Sequence, residues 1–529
     1  MKTIIKKSRG WLIVSFIFYV MCAFLETAFA LVLGNIIDNA NNNQMNELLK
    51  NIMISLVIML GSLLFARIAI EARRRSVMKS ISNVKEKLME SFYKRGVYHF
   101  REKPESYYIN ILTNDMDIIE NDYLAKIPLL FLYAAQFIFA IIALVAISWK
   151  STLLFILLFL IPMVVPQLLA DKLSTLKKIV SEKNESFIFT CKEQVQGSEV
   201  IISNLAVKNF FDKFMISNYE QQLARKHAGV VDLFMKEVSN TCGFVAHIGC
   251  IAIGGILVIL GDIRVGELIA QIQLLNSVFN PINAFSQILA SMKSTTPIQE
   301  KINHELQEVD DTTEEKSLEL TSFDIAYKDV CVSYDDKEVI HNFSYQFDDG
   351  GIYAVVGKSG SGKTSIFKCL MKYHKDYKGQ LLVGNQDIKN INCANLYKYI
   401  GYVSQDTFVF NDTIENNITL GEKFSQEEIN SVLEKVGLLD LVHKQNGIIG
   451  DSGKNVSGGE KQRIGLARVL LRNPKVIIFD EPTSALDFAT RDDINQLIFD
   501  LEGYTRIVIT HDKRMEYLEQ FNAIVDIAS

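Results

Sequence analysis

Residues 357 to 364 read GKSGSGKT, inside the run IYAVVGKSGSGKTSIFKCL. The run has the pattern of a buried strand, a glycine loop and a helix start, and the octet meets GxxxxGK[ST] at every fixed position. In such a loop Gly357, Lys358, Ser359, Gly360, Ser361 and Gly362 let backbone N–H groups converge on a phosphate. Lys363 adds a cation at the β- and γ-phosphates, and Thr364 offers its hydroxyl to Mg²⁺. Further on, the apolar run KVIIF ends in Asp480 and Glu481. Asp480 is placed to hold Mg²⁺, and Glu481 to polarise an attacking water. An isolated Asp-Glu means little, but behind a matched phosphate loop it points to hydrolysis of ATP or GTP. A second glycine turn, KNVSGGEKQR at 454 to 463, also leads into a helix start, a place suited to gripping phosphate. It has no lysine within the turn, and one chain has no evident need for two such loops.

The order GKSGSGKT, YVSQD, VSGGEKQR, VIIFDEPTSALD, VITHD resembles the nucleotide-binding domain of ATP-binding-cassette (ABC) transporters, over nearly all of residues 325 to 515. The resemblance implies ATP and Mg²⁺ as ligands and assigns further roles. Tyr334 would stack on adenine. Gln405 would sense Mg²⁺ and the attacking water and link the site to the membrane domain, and His511 would contact the γ-phosphate. Asp487 would lie in a loop crossing between subunits. In the family the second turn faces the ATP of another subunit, so Ser457, Gly458 and Gly459 would donate to the γ-phosphate across the interface. Glu460 stands where many members have glutamine, which alters the rim contacts. A dimer follows, a pair of identical chains or this chain with a related half-transporter.

The chain has 529 residues, is 49% hydrophobic and carries a net charge of -6. That apolar content and a positive mean hydropathy indicate a membrane portion, and the charge argues against nucleic acid as a partner. The seven cysteines show no CxxC pairing, which argues against a zinc site or a disulfide framework. Six stretches have the length and apolarity of membrane helices, roughly 11–33, 51–71, 128–149, 151–170, 242–261 and 265–292. Arg and Lys crowd the segments after the second and fourth stretches, so both termini and both long loops are expected on the cytoplasmic side of a membrane, a bacterial plasma membrane. The expected architecture is a membrane α-helical bundle over 1–304, a linker over 305–322, and a cytoplasmic α/β P-loop domain over 323–529. The membrane half resembles the exporter class, with short docking helices expected near 106–114 and 203–211. The chain ends 18 residues after His511, so the helical extension of some exporters is expected to be short or absent. About ten residues precede the first span, so an N-terminal peptidase domain is expected to be missing.

On the sixth stretch Gln273, Asn276, Asn280, Asn283 and Gln287 recur at spacings of three and four, hence on one helix face. Amides are costly against lipid, so the face either lines a path or joins helices by hydrogen bonds. Glu26 and His247 are the other polar outliers, open to a substrate role or a packing role. An uncharged, donor-rich lining suits a peptide. The expected function is ATP-driven export of such a substrate, with drug or lipid export as the alternative. A non-transporting ATP-gated regulator is disfavoured by the intact Glu481.

Overall fold

The computed structural model describes residues 9–165, 170–307, 320, 322–334, 337–358, 360–444, 449, 455–484, 486 and 488–527. Its contacts divide the chain into two units: Met1–Lys87 with Asn110–His304, and Leu88–Ile109 with Glu305–Ser529. The first part of the long basic loop thus groups with the C-terminal part, which the reading in linear segments did not anticipate. Most of the expected linker, 308–319 and 321, lies outside the described residues. Its first residues continue the helix Thr296–Leu306.

The first unit is made of long helices. Met45–Lys94 has 50 residues and Val207–Ile259 has 53, and no proline interrupts either. At about 1.5 Å per residue each is over twice as long as a bilayer's hydrocarbon core is thick. Among the described residues four helices are long and apolar enough to cross a membrane: Arg9–Asn41, Met45–Lys94, Glu105–Ile147 and Val207–Ile259. The other two expected spans differ. Residues 151–170 are described only in part. Helices Trp149–Phe159 and Ile161–Val164 meet at Leu160, where Pro162 cannot supply a mid-helix N–H, and 166–169 lie outside the described residues. Residues 265–292 do lie in one helix, Val265–Ser294, of 30 residues, but its amides dilute its apolarity.

The loop tips also fall earlier than expected. Gly96, at φ +74°, ends Met45–Lys94 and starts the short helix Gly96–Glu102. Residues 106–114 instead belong to the continuous helical run Glu105–Ile147. The second tip is Ser198–Ser203, closed by Leu205 in the left-handed region, so 203–211 is mostly the start of the next long helix.

Helices Arg9–Asn41, Ile127–Ile147 and Val265–Ser294 pack on one another. Where lipid is the solvent, close approach of small residues does the work that hydrophobic burial does in water. A Cβ on Gly34 would lie 2.6 Å from the Gly266 carbonyl, and the Gly266 N–H donates to Asp38 Oδ1 at 2.7 Å. Ala30, Ala140, Ala143 and Leu274 fill the neighbouring core. Leu60, Leu63, Leu64 and Ile142 remain exposed on outer faces.

The second unit contains β1 (Ile325–Tyr334), β2 (Lys337–Phe347), β3 (Ile352–Val356), β4 (Tyr377–Val383), β5 (Gln386–Asp387), β6 (Ile400–Val403), β7 (Val476–Asp480), β8 (Thr505–Ile509) and β9 (Ala523–Asp526). One sheet runs β6-β7-β8-β3-β9, all parallel; the other runs β2-β1-β4-β5, all antiparallel. The parallel strands are mostly apolar, and the inner β7 and β3 are almost wholly buried because both faces are covered. Ile477, Phe479, Val508 and Ala354 enter one core, and Val476, Ile478, Ile507, Ile509 and Val355 the other. The period of two along each strand sorts them.

Tyr327 lies wholly inside the second core against Phe343, Phe347 and Phe367, and its hydroxyl has no partner among the described residues. A buried hydroxyl without a partner loses its hydration for nothing in return. Tyr327→Phe is therefore expected to stabilise this unit by up to about 1 kcal/mol, read as a higher urea midpoint with unchanged slope; a lower midpoint refutes it.

Candidate functional site

The glycine loop follows β3 directly. Gly360 and Gly362 have φ +80° and +88°, a region that side chains disfavour. A Cβ on Gly362 would also run into the Ile340 side chain, so the turn before the helix Lys363–Leu370 needs glycine on two counts. Lys363 is 5% exposed, and its ammonium donates to the carbonyls of Gly357 at 3.1 Å and Lys358 at 3.0 Å. It is thereby folded back over the loop it must neutralise. Burial pushes its pKa down, against the pull of Glu481 and Asp480. Ser359 lies outside the described residues.

Thr364 opens the helix and donates to Asp480 Oδ1 at 2.9 Å. Asp480, 4% exposed at the end of β7, accepts on Oδ2 from the Tyr402 hydroxyl at 2.6 Å. Burial, with the adjacent Asp480 carboxylate, pushes the Tyr402 phenol well above its ordinary range, so it is a donor. A hydroxyl and a carboxylate facing each other at a loop built for phosphate form a hard-oxygen pair. That chemistry fits Mg²⁺, which takes a few protein oxygens and keeps the rest of its sphere for phosphate and water.

Glu481 is the next residue, at φ +48°, a sparsely populated conformation for a non-glycine residue. The turn aims its carboxylate between two partners. His511 Nε2 lies 2.7 Å from Oε1, and Gln405 Nε2 donates to Oε2 at 3.1 Å and to Ser484 Oγ at 3.3 Å. Gln405, Glu481 and His511, far apart in sequence, thus meet at one carboxylate.

Ser457 caps the helix Gly458–Leu471. Its hydroxyl accepts from the Glu460 N–H at 3.3 Å, and the Glu460 carboxylate accepts from the Ser457 N–H at 2.7 Å. This capping box gives Glu460 a role inside its own turn, beyond the rim contacts expected of it. Among the described residues the Ser457 hydroxyl proton donates to no partner. A groove runs from Gln405 and Glu481 past Gln462 to Gly458 and Lys461. Asp487 lies outside the described residues; Tyr334 ends β1, and its side chain is not among those described.

Sequence reasoning missed the residues that hold the Gln405 segment. Gln462 donates to the Gln405 carbonyl at 2.6 Å, and Arg468 donates to the Phe408 carbonyl at 2.6 Å, the Asn417 carbonyl at 2.6 Å and Asn417 Oδ1 at 2.9 Å. Burial pushes Arg468 down to about 10. The available signal was Gln462, Gly465 and Arg468 recurring every three residues on one face of that helix. Tyr402 gave no signal, being one aromatic in a strand.

In the membrane-spanning part, Gln273, Asn280 and Gln287 are exposed and Asn276 is half-buried, while Leu274, Leu275, Val278 and Ile288 are buried on the opposite face. The amide face therefore points away from this chain's own packing core; the Asn283 side chain is not among those described. On the same helix Gln271 does join helices, donating to Ser151 Oγ at 2.7 Å. Glu26 Oε2 accepts from Gln136 Nε2 at 2.6 Å, a partner the sequence did not suggest, and His247 is half-buried.

Comparison with known proteins agrees with this geometry. Residues 12–282 match the family model for the ABC transporter transmembrane region, and 340–484 the one for ABC transporter. The chain belongs to the ABC transporter family. Within that family it is 31% identical to the mitochondrial iron–sulfur clusters transporter of Candida glabrata over 347 residues, 61% of this chain and 48% of that one. It is 24% identical to an ATP-dependent lipid A-core flippase of Syntrophus aciditrophicus over 450 residues, 82% of this chain and 73% of that one. It is 29% identical over 275 residues to an ATM1-type heavy metal exporter of Novosphingobium aromaticivorans, 50% of this chain and 44% of that one. The chain thus spans about half the length of several curated ABC transporters that it matches, and most of the flippase.

Proposed function

We propose that the protein is an ATP-driven exporter in a plasma membrane, working as a pair of identical chains. The observation that carries this reading is the convergence of Gln405, Glu481 and His511 on one carboxylate beside the Thr364–Asp480 pair. Lys363 holds the loop ready for a nucleoside triphosphate. Thr364 and Asp480 would hold Mg²⁺, which supplies positive charge between the β- and γ-phosphates. Glu481 accepts the proton of the attacking water, steadied by Gln405, and His511 stands beside it to meet the γ-phosphate. Ser457, Gly458 and Gly459 donate from the second chain, whose helix start adds the positive end of its dipole. The second glycine turn needs no lysine because Lys363 of the facing chain already meets that charge.

For the substrate, the outward-facing amides of Gln273, Asn276, Asn280 and Gln287 and the Glu26–Gln136 pair support a polar, largely uncharged molecule, a peptide. The long alignment with a lipid flippase favours lipid as the second reading. The test is transport and ATPase in proteoliposomes, with Lys363→Ala as the inactive control. Peptide-stimulated hydrolysis and peptide accumulation inside inverted vesicles, both absent from Lys363→Ala, are expected. Stimulation by lipid alone would replace the peptide reading, and equal activity in the variant would remove the ATP-driven one.

A further inference from the structure

Asp480 is a buried carboxylate, and such a group must be hydrogen-bonded to stay charged. Among the described residues two hydroxyls donate to it, one on each oxygen: Thr364 on Oδ1 and Tyr402 on Oδ2. Thr364 also belongs to the metal-facing pair: a cation would take a lone pair of its oxygen while its proton stays on Asp480 Oδ1, so the Thr364 bond is set by the loop and the cation together. Tyr402 is the donor with no such second duty, and it holds the carboxylate plane from Oδ2.

Tyr402 is itself braced. Its ring meets the Tyr373 ring edge-to-face at 5.9 Å and 81°. The guanidinium of Arg101 lies 5.0 Å from the centroid of Tyr373. Tyr397, against the other side of Tyr373 at 6.4 Å, donates its hydroxyl to the Met371 carbonyl at 2.9 Å and fixes that corner. Arg101 sits on the short loop helix Gly96–Glu102, within the same unit as the nucleotide site. The helix has a second contact of the same kind, Lys375 over Tyr98 at 5.1 Å. Its base is anchored where Arg95 and Tyr107 donate to the buried Glu305 carboxylate at 3.2 and 2.9 Å. A cation over an aromatic face is sensitive to position, so movement of the loop helix reaches Tyr373, then Tyr402, then Asp480.

We propose that Tyr402 is a positioning residue for the metal-holding carboxylate, and that Arg101 on the loop helix acts on it through Tyr373. The loop tip is thereby tied to cation affinity at the nucleotide site through side chains of one chain. This rests on the reading of Thr364 and Asp480 as the pair that holds the cation.

The test uses the full-length protein in lipid nanodiscs with ATP, on the Glu481→Gln background so that nothing turns over, and Mn²⁺ as the probe, followed by loss of the free-ion paramagnetic signal. Tyr402→Phe keeps the ring and removes the donor. It is expected to weaken Mn²⁺ binding about tenfold while leaving metal-free ATP binding unchanged. Arg101→Ala is expected to weaken Mn²⁺ binding about threefold when Tyr402 is present and to add nothing in the Tyr402→Phe background. Unchanged Mn²⁺ affinity in Tyr402→Phe, or an equal loss of metal-free ATP binding, overturns the positioning role. No effect of Arg101→Ala, or the same loss in both backgrounds, overturns the connection. If the parent binds no more Mn²⁺ than free ATP does, the reading of Thr364 and Asp480 itself fails, a result distinct from the others.

Discussion

Glu481→Gln is expected to slow ATP hydrolysis by roughly 10²–10⁴-fold, the usual worth of a positioned general base, without loss of ATP binding. The carboxylate is the group on which the cluster converges, and as a base it can take a proton from water. Gln405 bears an amide, and His511 Nε2 lies 2.7 Å from a Glu481 oxygen. A glutamine keeps the shape and one hydrogen-bond acceptor but not the basicity. The turn should survive, because the φ of +48° at residue 481 is imposed by the chain around it and costs glutamine no more than glutamate. Phosphate release and equilibrium ATP binding on the reconstituted protein check this. Turnover near that of the parent would sink the assignment of Glu481 as base.

Ser457→Arg is expected to abolish hydrolysis for a different reason, and it tests the pair. Ser457 hydrogen-bonds within its own turn, to Glu460, while Lys363 bonds its own loop. A bulky cation at 457 should leave ATP binding to the loop of the same chain intact while blocking the approach of a facing chain. Mixing supplies the sharper measurement. If each site joins Lys363 of one chain to Ser457 of the other, a Lys363→Ala chain paired with a Ser457→Arg chain has one intact site. Random mixing of two inactive variants should then recover up to about a quarter of the parent's activity, on a symmetric two-site pair. Mixtures that stay inactive, or a Ser457→Arg protein that hydrolyses normally, would count against a site shared between chains.

The chemistry-bearing residues of the C-terminal unit were readable in advance because short-range backbone demands write themselves into local sequence. The loop at 357–364 needs glycine where φ is positive and where Gly362 meets Ile340. The Asp480–Glu481 pair must follow an apolar strand to reach the sheet's edge. The long helices were readable too, because no proline interrupts Met45–Lys94 or Val207–Ile259. The loop tips were placed too late, although Gly96 marked the first turn in plain sight. The expected span at 151–170 is described only in part, as helices Trp149–Phe159 and Ile161–Val164, with Pro162 at the start of the second.

What the sequence by itself determined is which residues can do chemistry and on which kind of element each stands. Those are consequences of side-chain type and of a periodicity running over a few residues. Tertiary structure alone decided the partnerships. It brought Glu481 to both Gln405 and His511, gave Asp480 a second donor in Tyr402, turned Gln273, Asn280 and Gln287 away from the chain's own core, and grouped Leu88–Ile109 with the nucleotide site. The reason is range. Tyr402 and Asp480 are 78 positions apart, and Arg101 and Tyr373 lie farther apart still. A contact across such a separation leaves no periodic trace in either segment, because it is made by the packing of sheets and helices and not by the residues between.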